Sequence, residues 1–233
     1  MKIFADDRLL SLGIISGTGS RHVGCGRDIQ NVKKVLDILG IAPSKMLGLR
    51  QVHGDTIIPI ITDDDLTAYK AAPAHEADAW LLGKAGWGCM ILTADCAPLF
   101  VWDDKGRFVA LAHCGWRGVV AGLPGKIAAA VKDKAGAGAR LCAYIGPHIN
   151  KCCFEVKEDV AARFGSSAVI HKDNKIFVDL SAEIKSQLTK EGIMSADIKH
   201  EQLARCTCCN KADFFSYRRD KMKDSLISLV YKI

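Results

Sequence analysis

Cys96 and His113 flank a turn at nearly equal distances, and that symmetry is the strongest chemical hint in the sequence. The stretch from Thr93 to Gly118 reads T-A-D-C-A-P-L-F-V-W-D-D-K-G-R-F-V-A-L-A-H-C-G-W-R-G. Leu99 to Trp102 is an apolar run, and Asp103-Asp104-Lys105-Gly106 has the composition of a turn. Arg107 to His113 then reads as a returning strand. Pairing the two strands would bring Cys96 beside His113. Such a pair can hold a soft or borderline metal ion, or act as nucleophile and base. His53, within Arg50-Gln51-Val52-His53-Gly54-Asp55, is a third candidate ligand. Catalytic zinc commonly takes three protein ligands and keeps one position open, and it brings the pKa of bound water down to ~7. The spacing leaves three readings open: a metal site, a metal-free Cys96–His113 dyad, or core residues without a chemical role.

Other residues bear on the same question. Arg50 and Arg117 sit beside the candidate ligands, and a guanidinium offers fork-shaped donors for phosphate or carboxylate. Asp95 could orient a ligand His, although in a continuous strand it would face away from Cys96. His148 follows Gly146-Pro147 at a strand end, where sites often form, and is a tentative substrate contact. Arg21 lies in a glycine-rich loop that lacks the spacing of a dinucleotide site or P-loop. Cys152-Cys153 and Cys206-x-Cys208-Cys209 lack the paired C-x₂₋₄-C knuckles usual in structural zinc sites, so a second metal cluster is not expected. Cys25, Cys89 and Cys142 are expected as small buried hydrophobes.

The elements that must position these residues follow from periodicity. Residues 8–16 look like a strand, followed by the loop Gly17 to Gly26. Asp28 to Leu39 is helical, with Val32, Val35, Leu36 and Leu39 on one stripe and Gly40 as the stop. Lys45 to Val52 and Thr56 to Ile61 read as a strand pair around His53, and Asp63 to Ala74 as a polar excursion. Ala77 to Leu82 and Gly88 to Leu92 are strands. Val119 to Lys134 fits a helix whose true start lies near Pro124. Leu141 to Ile145 is a strand, Val156 to Phe164 and Ser181 to Glu191 are helices, and Ser225 to Tyr231 is the last strand. Strands arrive in runs with few helices between them, so a regular βαβ wind is not expected. No repeat or composition shift marks a linker, and one mixed α/β domain over residues 1–233 is the simplest account.

Bulk properties narrow the function classes. The chain has 233 residues, 49% apolar and 25% charged, which suits a globular core. No apolar run approaches the roughly 20 residues of a membrane span, and acidic residues interrupt the first residues, unlike a signal peptide. Ten cysteines point to a reducing compartment, hence a cytoplasmic location. The net charge of +6 is scattered and aromatics are sparse, which favours small anions over nucleic acid as partners.

The residues also carry a family resemblance. Arg50-Gln51-Val52-His53-Gly54, Ala77-Asp78-Ala79, Thr93-Ala94-Asp95-Cys96-Ala97-Pro98, His113-Cys114-Gly115-Trp116-Arg117-Gly118, Ile145-Gly146-Pro147-His148-Ile149, Val178-Asp179-Leu180, Cys206-Thr207 and Phe214-Phe215-Ser216-Tyr217-Arg218-Arg219 occur in this order. The chain thereby resembles the YfiH family, also called the polyphenol oxidase or laccase-domain family. It departs from the family in its short loop after Arg21-His22-Val23-Gly24, in Asn31-Val32 where Asn-Arg is usual, and in lacking a Gly-Arg after the Tyr-Arg-Arg segment.

The resemblance implies an α/β/β/α fold with mixed sheets, similar to a toxin deamidase with a Cys–His pair. It implies Zn²⁺ held by His53, Cys96 and His113. It also implies phosphorolysis of adenosine, inosine, guanosine and methylthioadenosine, and deamination of adenosine. Copper-dependent phenol oxidation is a further activity that the resemblance brings with it, as one claimed for the family. A multicopper oxidase needs more imidazoles than seven His without an H-x-H pair can provide, yet a site of this type would bind Cu²⁺ avidly if offered it. A Cys–His amidase acting on cell-wall precursors is the alternative in a different class. The oligomeric state does not follow from the sequence.

Overall fold

The computed structural model describes residues 2–72, 75–136, 138–200 and 206–233. In chain order the strands are β1 (Ile3–Phe4), β2 (Ile14–Gly19), β3 (Met46–Leu47), β4 (Ile57–Ile60), β5 (Ala79–Leu82), β6 (Gly88–Thr93), β7 (Ala97–Asp103), β8 (Val109–Cys114), β9 (Leu141–Ile145), β10 (Glu155–Val156), β11 (Val169–Lys172), β12 (Lys175–Val178), β13 (Ile198–His200) and β14 (Leu226–Lys232). The α-helices are α1 (Asp7–Ser11), α2 (Ile29–Ile38), α3 (Asp63–Ala71), α4 (Trp116–Val120), α5 (Leu123–Ala135), α6 (Glu158–Ala161), α7 (Leu180–Lys190) and α8 (Tyr217–Asp220). One sheet has the order β1-β2-β14-β6-β3, a second β13-β9-β7-β8-β5-β4, and a small third β10-β12-β11. The pairs β3–β6, β4–β5 and β13–β9 are parallel among antiparallel neighbours, so both large sheets are mixed.

Side-chain alternation along β7 explains the layering. Phe100 and Trp102 point into a core shared with Cys89, Ile91 and Val230 of the five-stranded sheet. Leu99 and Val101 point the other way, onto Ile127 and Val131 of α5 and Ile184 and Leu188 of α7. A strand buried on both faces reads as an unbroken apolar run, as this one does. On the far face of the five-stranded sheet, Ile227 and Leu229 pack on Val32, Val35 and Leu36 of α2. The order is helix, sheet, sheet, helix, in agreement with the resemblance. None of the helices among the described residues is long and apolar enough to cross a membrane.

The hairpin forms around the expected turn, but its register is shifted by two residues from the symmetric pairing that would set Cys96 opposite His113. Ala97 stands opposite Cys114 and Pro98 opposite His113. Asp103 closes the turn by accepting from Phe108 N at 2.7 Å and Arg107 Nε at 2.9 Å. Gly106 adopts φ 66°, which a Cβ would disfavour.

Four expectations are corrected. Residues 8–16 are α1 and the start of β2, because Asp6 caps a short helix by accepting from Arg8 N at 3.0 Å and Gly13 turns the chain at φ 73°. The segments around His53 are not a strand pair. β3 joins β6 in one sheet and β4 joins β5 in the other, so the His53 loop crosses between sheets. The polar stretch from Asp63 is α3, started by a Thr62–Asp65 capping box. Leu66 is its single buried residue, so no apolar stripe betrays it; Pro73 and Ala74 lie outside the described residues. The helix over Val119–Lys134 is split into α4 and α5 by Gly122 at φ 85°, with Pro124 in the first turn of α5.

Candidate active site

The sheet ends bring three side chains together. Cys96 immediately precedes β7, His113 is near the end of β8, and His53 lies in the crossover between sheets. Their ligand atoms all lie within 4.8 Å of one another. The imidazoles of His53 and His113 meet edge to face, with centroids 4.8 Å apart at 79°. His113 is buried, Cys96 half-buried and His53 exposed, so the trio opens to solvent on one side.

Asp78 holds two of the three in place. Its fully buried carboxylate accepts from His53 N (3.0 Å) and His113 Nδ1 (2.7 Å) through Oδ1, and from Val52 N (3.1 Å) and Gly54 N (2.6 Å) through Oδ2. The bond to Nδ1 leaves Nε2 as the His113 nitrogen available to a ligand or proton. The three N–H donors explain how His53 is kept at φ 60°. Gln51 anchors the same loop to β6, accepting from Leu92 N and donating to Leu92 O, both at 2.8 Å.

Two glycines make the approach possible. A Cβ on Gly115 would come within 2.9 Å of His53 Cδ2 and 3.2 Å of Cys96 Sγ. A Cβ on Gly118 would come within 2.6 Å of the Gly54 carbonyl oxygen. The G-W-R-G sequence is therefore a steric requirement of the trio as well as the start of α4.

The electrostatics couple Cys96 to His113. Burial pushes the Cys96 thiol up, but the imidazolium of His113, the hydrogen bonds from both His and the charge of His53 bring it down to about 6. Burial would lower His113, but the Cys96 thiolate and the Asp78 carboxylate raise it to about 9. Without metal, the pair is therefore a thiolate–imidazolium between those two values. Burial also pushes Asp78 up; the bonds from His113, Gly54 and Val52 outweigh it and hold the carboxyl below the usual range.

The trio forms the floor of an open cleft of about 840 Å³. Arg50 and Arg117 both line it, as the sequence suggested, with Arg50 paired to Glu76 at 2.9 Å and Arg117 stacked on Trp116 at 4.5 Å. His148 does not line it. The ring is buried, its Nδ1 is 2.8 Å from Gly146 O, and it packs on His200 at 5.3 Å. Arg21 is also elsewhere, donating to Lys211 O and lying over Phe215. Asp95 orients no His. At φ 84° it turns out of the strand direction and accepts from Thr207 Oγ1 (2.7 Å) and Arg218 N (2.6 Å). Cys89 and Cys142 are buried as expected, and Cys25 is half-buried.

Sequence reasoning missed the role of Asp78, which stood only as part of Ala77-Asp78-Ala79. It also missed the cleft wall built by Tyr217, Arg218 and Lys221. The buried acid beside an apolar strand was the available signal for the first.

Residues 26–230 match the family model described as multi-copper polyphenol oxidoreductase laccase. The chain belongs to this family, that of the YfiH proteins. Among its relatives, Purine nucleoside phosphorylase YfiH of Shigella flexneri is 31% identical over 233 residues, covering 96% of this chain and 86% of the relative. The protein of the same name from Escherichia coli (strain K12) gives the same figures. A purine nucleoside phosphorylase of Xylella fastidiosa (strain 9a5c) is 29% identical over 229 residues, 95% of this chain and 84% of the relative. The crystal structure of YfiH from Bacillus licheniformis superposes with a TM-score of 0.84 at 24% identity, over 94% of this chain and 93% of that one. YlmD from Geobacillus stearothermophilus gives 0.83 at 24% identity, over 94% and 92%. At that identity the two structures speak to the fold of this family member.

Asp78→Asn should destabilise the chain by about 3 kcal/mol, since an amide NH₂ would face N–H donors in a buried network. If the trio binds an added zinc ion, the substitution should also weaken that binding by roughly 10- to 100-fold, as loss of a ligand-orienting carboxylate does. Urea unfolding and competitive zinc titration check this; unchanged values in both would refute the role assigned to Asp78.

In metal-stripped protein, Cys96 should be alkylated with a rate that falls as pH drops through about 6, where the thiolate takes up its proton. Peptide-resolved iodoacetamide labelling reads this, and His113→Ala should move the midpoint up. A midpoint near the ordinary thiol value in the unaltered protein would contradict the ion pair.

Proposed function

We propose that this chain is a purine nucleoside phosphorylase whose chemistry takes place over His53, Cys96 and His113, with zinc as the resident metal. The observation that carries the reading is the convergence of this trio at the floor of a wide, basic-rimmed cleft. Relatives named purine nucleoside phosphorylase, 29–31% identical over nearly the whole chain, support it.

The donor set fits a metal. Two imidazoles and one thiol face a common point, the Nδ1 of one His is tied to a carboxylate, and one side is open. His53, Cys96 and His113 would hold the ion, which supplies Lewis-acid polarisation and charge stabilisation at the floor. Cu²⁺ would compete well for the same donors. The trio is the one His-containing cluster of candidate ligands among the described residues, so the oxidase named in the family description is not proposed here.

The chain's own groups divide the remaining work. In phosphorolysis a phosphate oxygen attacks C1′ of the ribose, and the C1′–N9 bond breaks with its electron pair leaving on the purine. Arg50 and Arg117 offer guanidinium donors for the phosphate. Trp116 and Tyr217 give the cleft aromatic surfaces for a purine ring. The substrate class is adenosine, inosine, guanosine and methylthioadenosine. Deamination of adenosine at the same floor also needs a proton carrier. Asp95 is engaged by Thr207 and Arg218, which leaves Asp224 as the cleft carboxylate open to that role.

A second reading has its own observation. Cys96, His113 and Asp78 form a nucleophile–base–acid chain of the kind that serves thiol hydrolases. It predicts an amidase that keeps its activity after chelation, whereas the phosphorylase reading predicts loss.

Metal-quantified protein incubated with adenosine should yield adenine and ribose 1-phosphate only when phosphate is present. Inosine formation should not need phosphate. Chromatography of products reads both, and His113→Ala should reduce each by about a hundredfold or more. A zinc-loaded sample that makes neither product from adenosine would sink this reading for that nucleoside.

Arg50→Ala and Arg117→Ala should each raise the phosphate KM by about tenfold, as expected for one charge-assisted contact. Unchanged phosphate KM in both variants would remove these residues from the phosphate site.

A further inference from the structure

Four cysteines outside the active site come together from distant parts of the chain. Cys152 and Cys153 lie in the turn between β9 and β10, and Cys206 and Cys209 in the turn that precedes α8. Their sulfur atoms all lie within 4.8 Å of one another. Cys209 Sγ is 3.6 Å from Cys152 Sγ and 3.2 Å from Cys153 Sγ, and all four cysteines are free. Sulfurs around a tetrahedral zinc at 2.3 Å stand about 3.8 Å apart, so small adjustments would complete the tetrahedron.

The backbone is arranged for a thiolate. Cys206 is fully buried, and its sulfur accepts from Asn150 N at 3.4 Å. That donor would support the thiolate that a bound metal ion requires at this position. Lys151 is paired with Asp179, and the Arg218 guanidinium is spent on the carbonyl oxygens of Cys153 and Glu155.

The sequence spacing gave no expectation of this cluster, yet the fold brings the four sulfurs together. Cys206-Thr207-Cys208-Cys209 contains a C-x₂-C knuckle, hidden in the sequence by the intervening Cys208, which packs against the apolar core. The other half, adjacent Cys152 and Cys153, has no knuckle spacing at all. Bridging by His148 and Cys206 backbones, with Thr207 N donating to His148 O at 3.1 Å, holds the two turns side by side.

We propose that Cys152, Cys153, Cys206 and Cys209 form a second metal site, closed and four-coordinate, that takes a zinc-class ion as a structural clamp. All-thiolate coordination selects soft or borderline ions and leaves no position for substrate. The clamp joins two turns that support the cleft wall. From this region Thr207 holds Asp95, the neighbour of Cys96, and Arg219 donates to the Thr207 and Cys208 carbonyl oxygens at 2.8 and 3.0 Å.

The test keeps the clamp and removes the other site. The full chain carrying His53→Ala and Cys96→Ala, which leaves the Asp78–His113 pair intact, is purified under reductant, loaded with zinc, desalted and assayed for metal. One zinc per chain should remain, against two in the unaltered protein, and adding Cys152→Ser and Cys209→Ser should bring the count to none. Should the cysteine variants not fold, cobalt loading of the His53→Ala/Cys96→Ala chain decides with the cluster intact. Tetrahedral cobalt bands with intense thiolate charge transfer are then expected. In the unaltered protein, zinc should slow iodoacetamide labelling of the exposed Cys152 and Cys209. No zinc in the His53→Ala/Cys96→Ala chain, cobalt without thiolate bands, or a disulfide from Cys209 to Cys152 or Cys153 in place of bound metal would overturn the proposal. None of these readouts depends on nucleoside turnover.

Discussion

A single buried carboxylate, Asp78, is the constraint on which the site depends. Removing a carboxylate from water is costly unless its lone pairs are satisfied, and here four N–H donors satisfy them. Three of those donors belong to the crossover between the two sheets, and the fourth is the imidazole at the end of β8. The carboxylate can be buried only when both have arrived. Folding of the crossover, orientation of His113 and placement of His53 are thus one event. The sheets contribute the rigid frame: β5 carries Asp78 at its entrance and pairs with β8, with Ala79 opposite Ala112.

The same economy governs the other side of the cleft. Asp95 leaves the strand direction at φ 84°, and its carboxylate reaches Thr207 and Arg218. The turn that delivers Cys96 to the floor is therefore tied to the turn that delivers Tyr217 and Arg218 to the wall. Two aspartates, each beside a strand end, divide the labour: Asp78 sets the floor and Asp95 the wall. Glycine at 115 and 118 keeps the space between them, because a methyl group at either position would collide with His53 or the Gly54 carbonyl.

The trio is chemically versatile for a reason visible in its electrostatics. A thiolate stabilised by two imidazoles is both a good metal ligand and a good nucleophile. The distinction rests on the surroundings. A cleft of about 840 Å³ with guanidinium groups at its rim and aromatic faces in its walls suits an anion and a flat heterocycle together. That setting, more than the trio itself, is what supports the proposed phosphorylase over the thiol hydrolase reading.

The sequence by itself determined the β7–β8 hairpin and the meeting of Cys96 with His113. It also determined α2 and the alternation that places the core on both faces of β7. These features are local: turn chemistry and a period of two or 3.6 act over a few residues. The family resemblance extended that reach to His53 by motif order. Only the tertiary structure decided that the His53 loop crosses between sheets, that Asp78 serves it, and that Asp95 faces the wall. It also decided that His148 is buried away from the cleft and that Cys152 and Cys153 meet Cys206 and Cys209. Apart from the burial of His148, each of these is a contact between residues separated by 24 or more positions or a choice between two sheets, and spacing carries no record of either. Such contacts are set by which buried polar groups find partners when the layers close, a condition that exists only in the assembled fold.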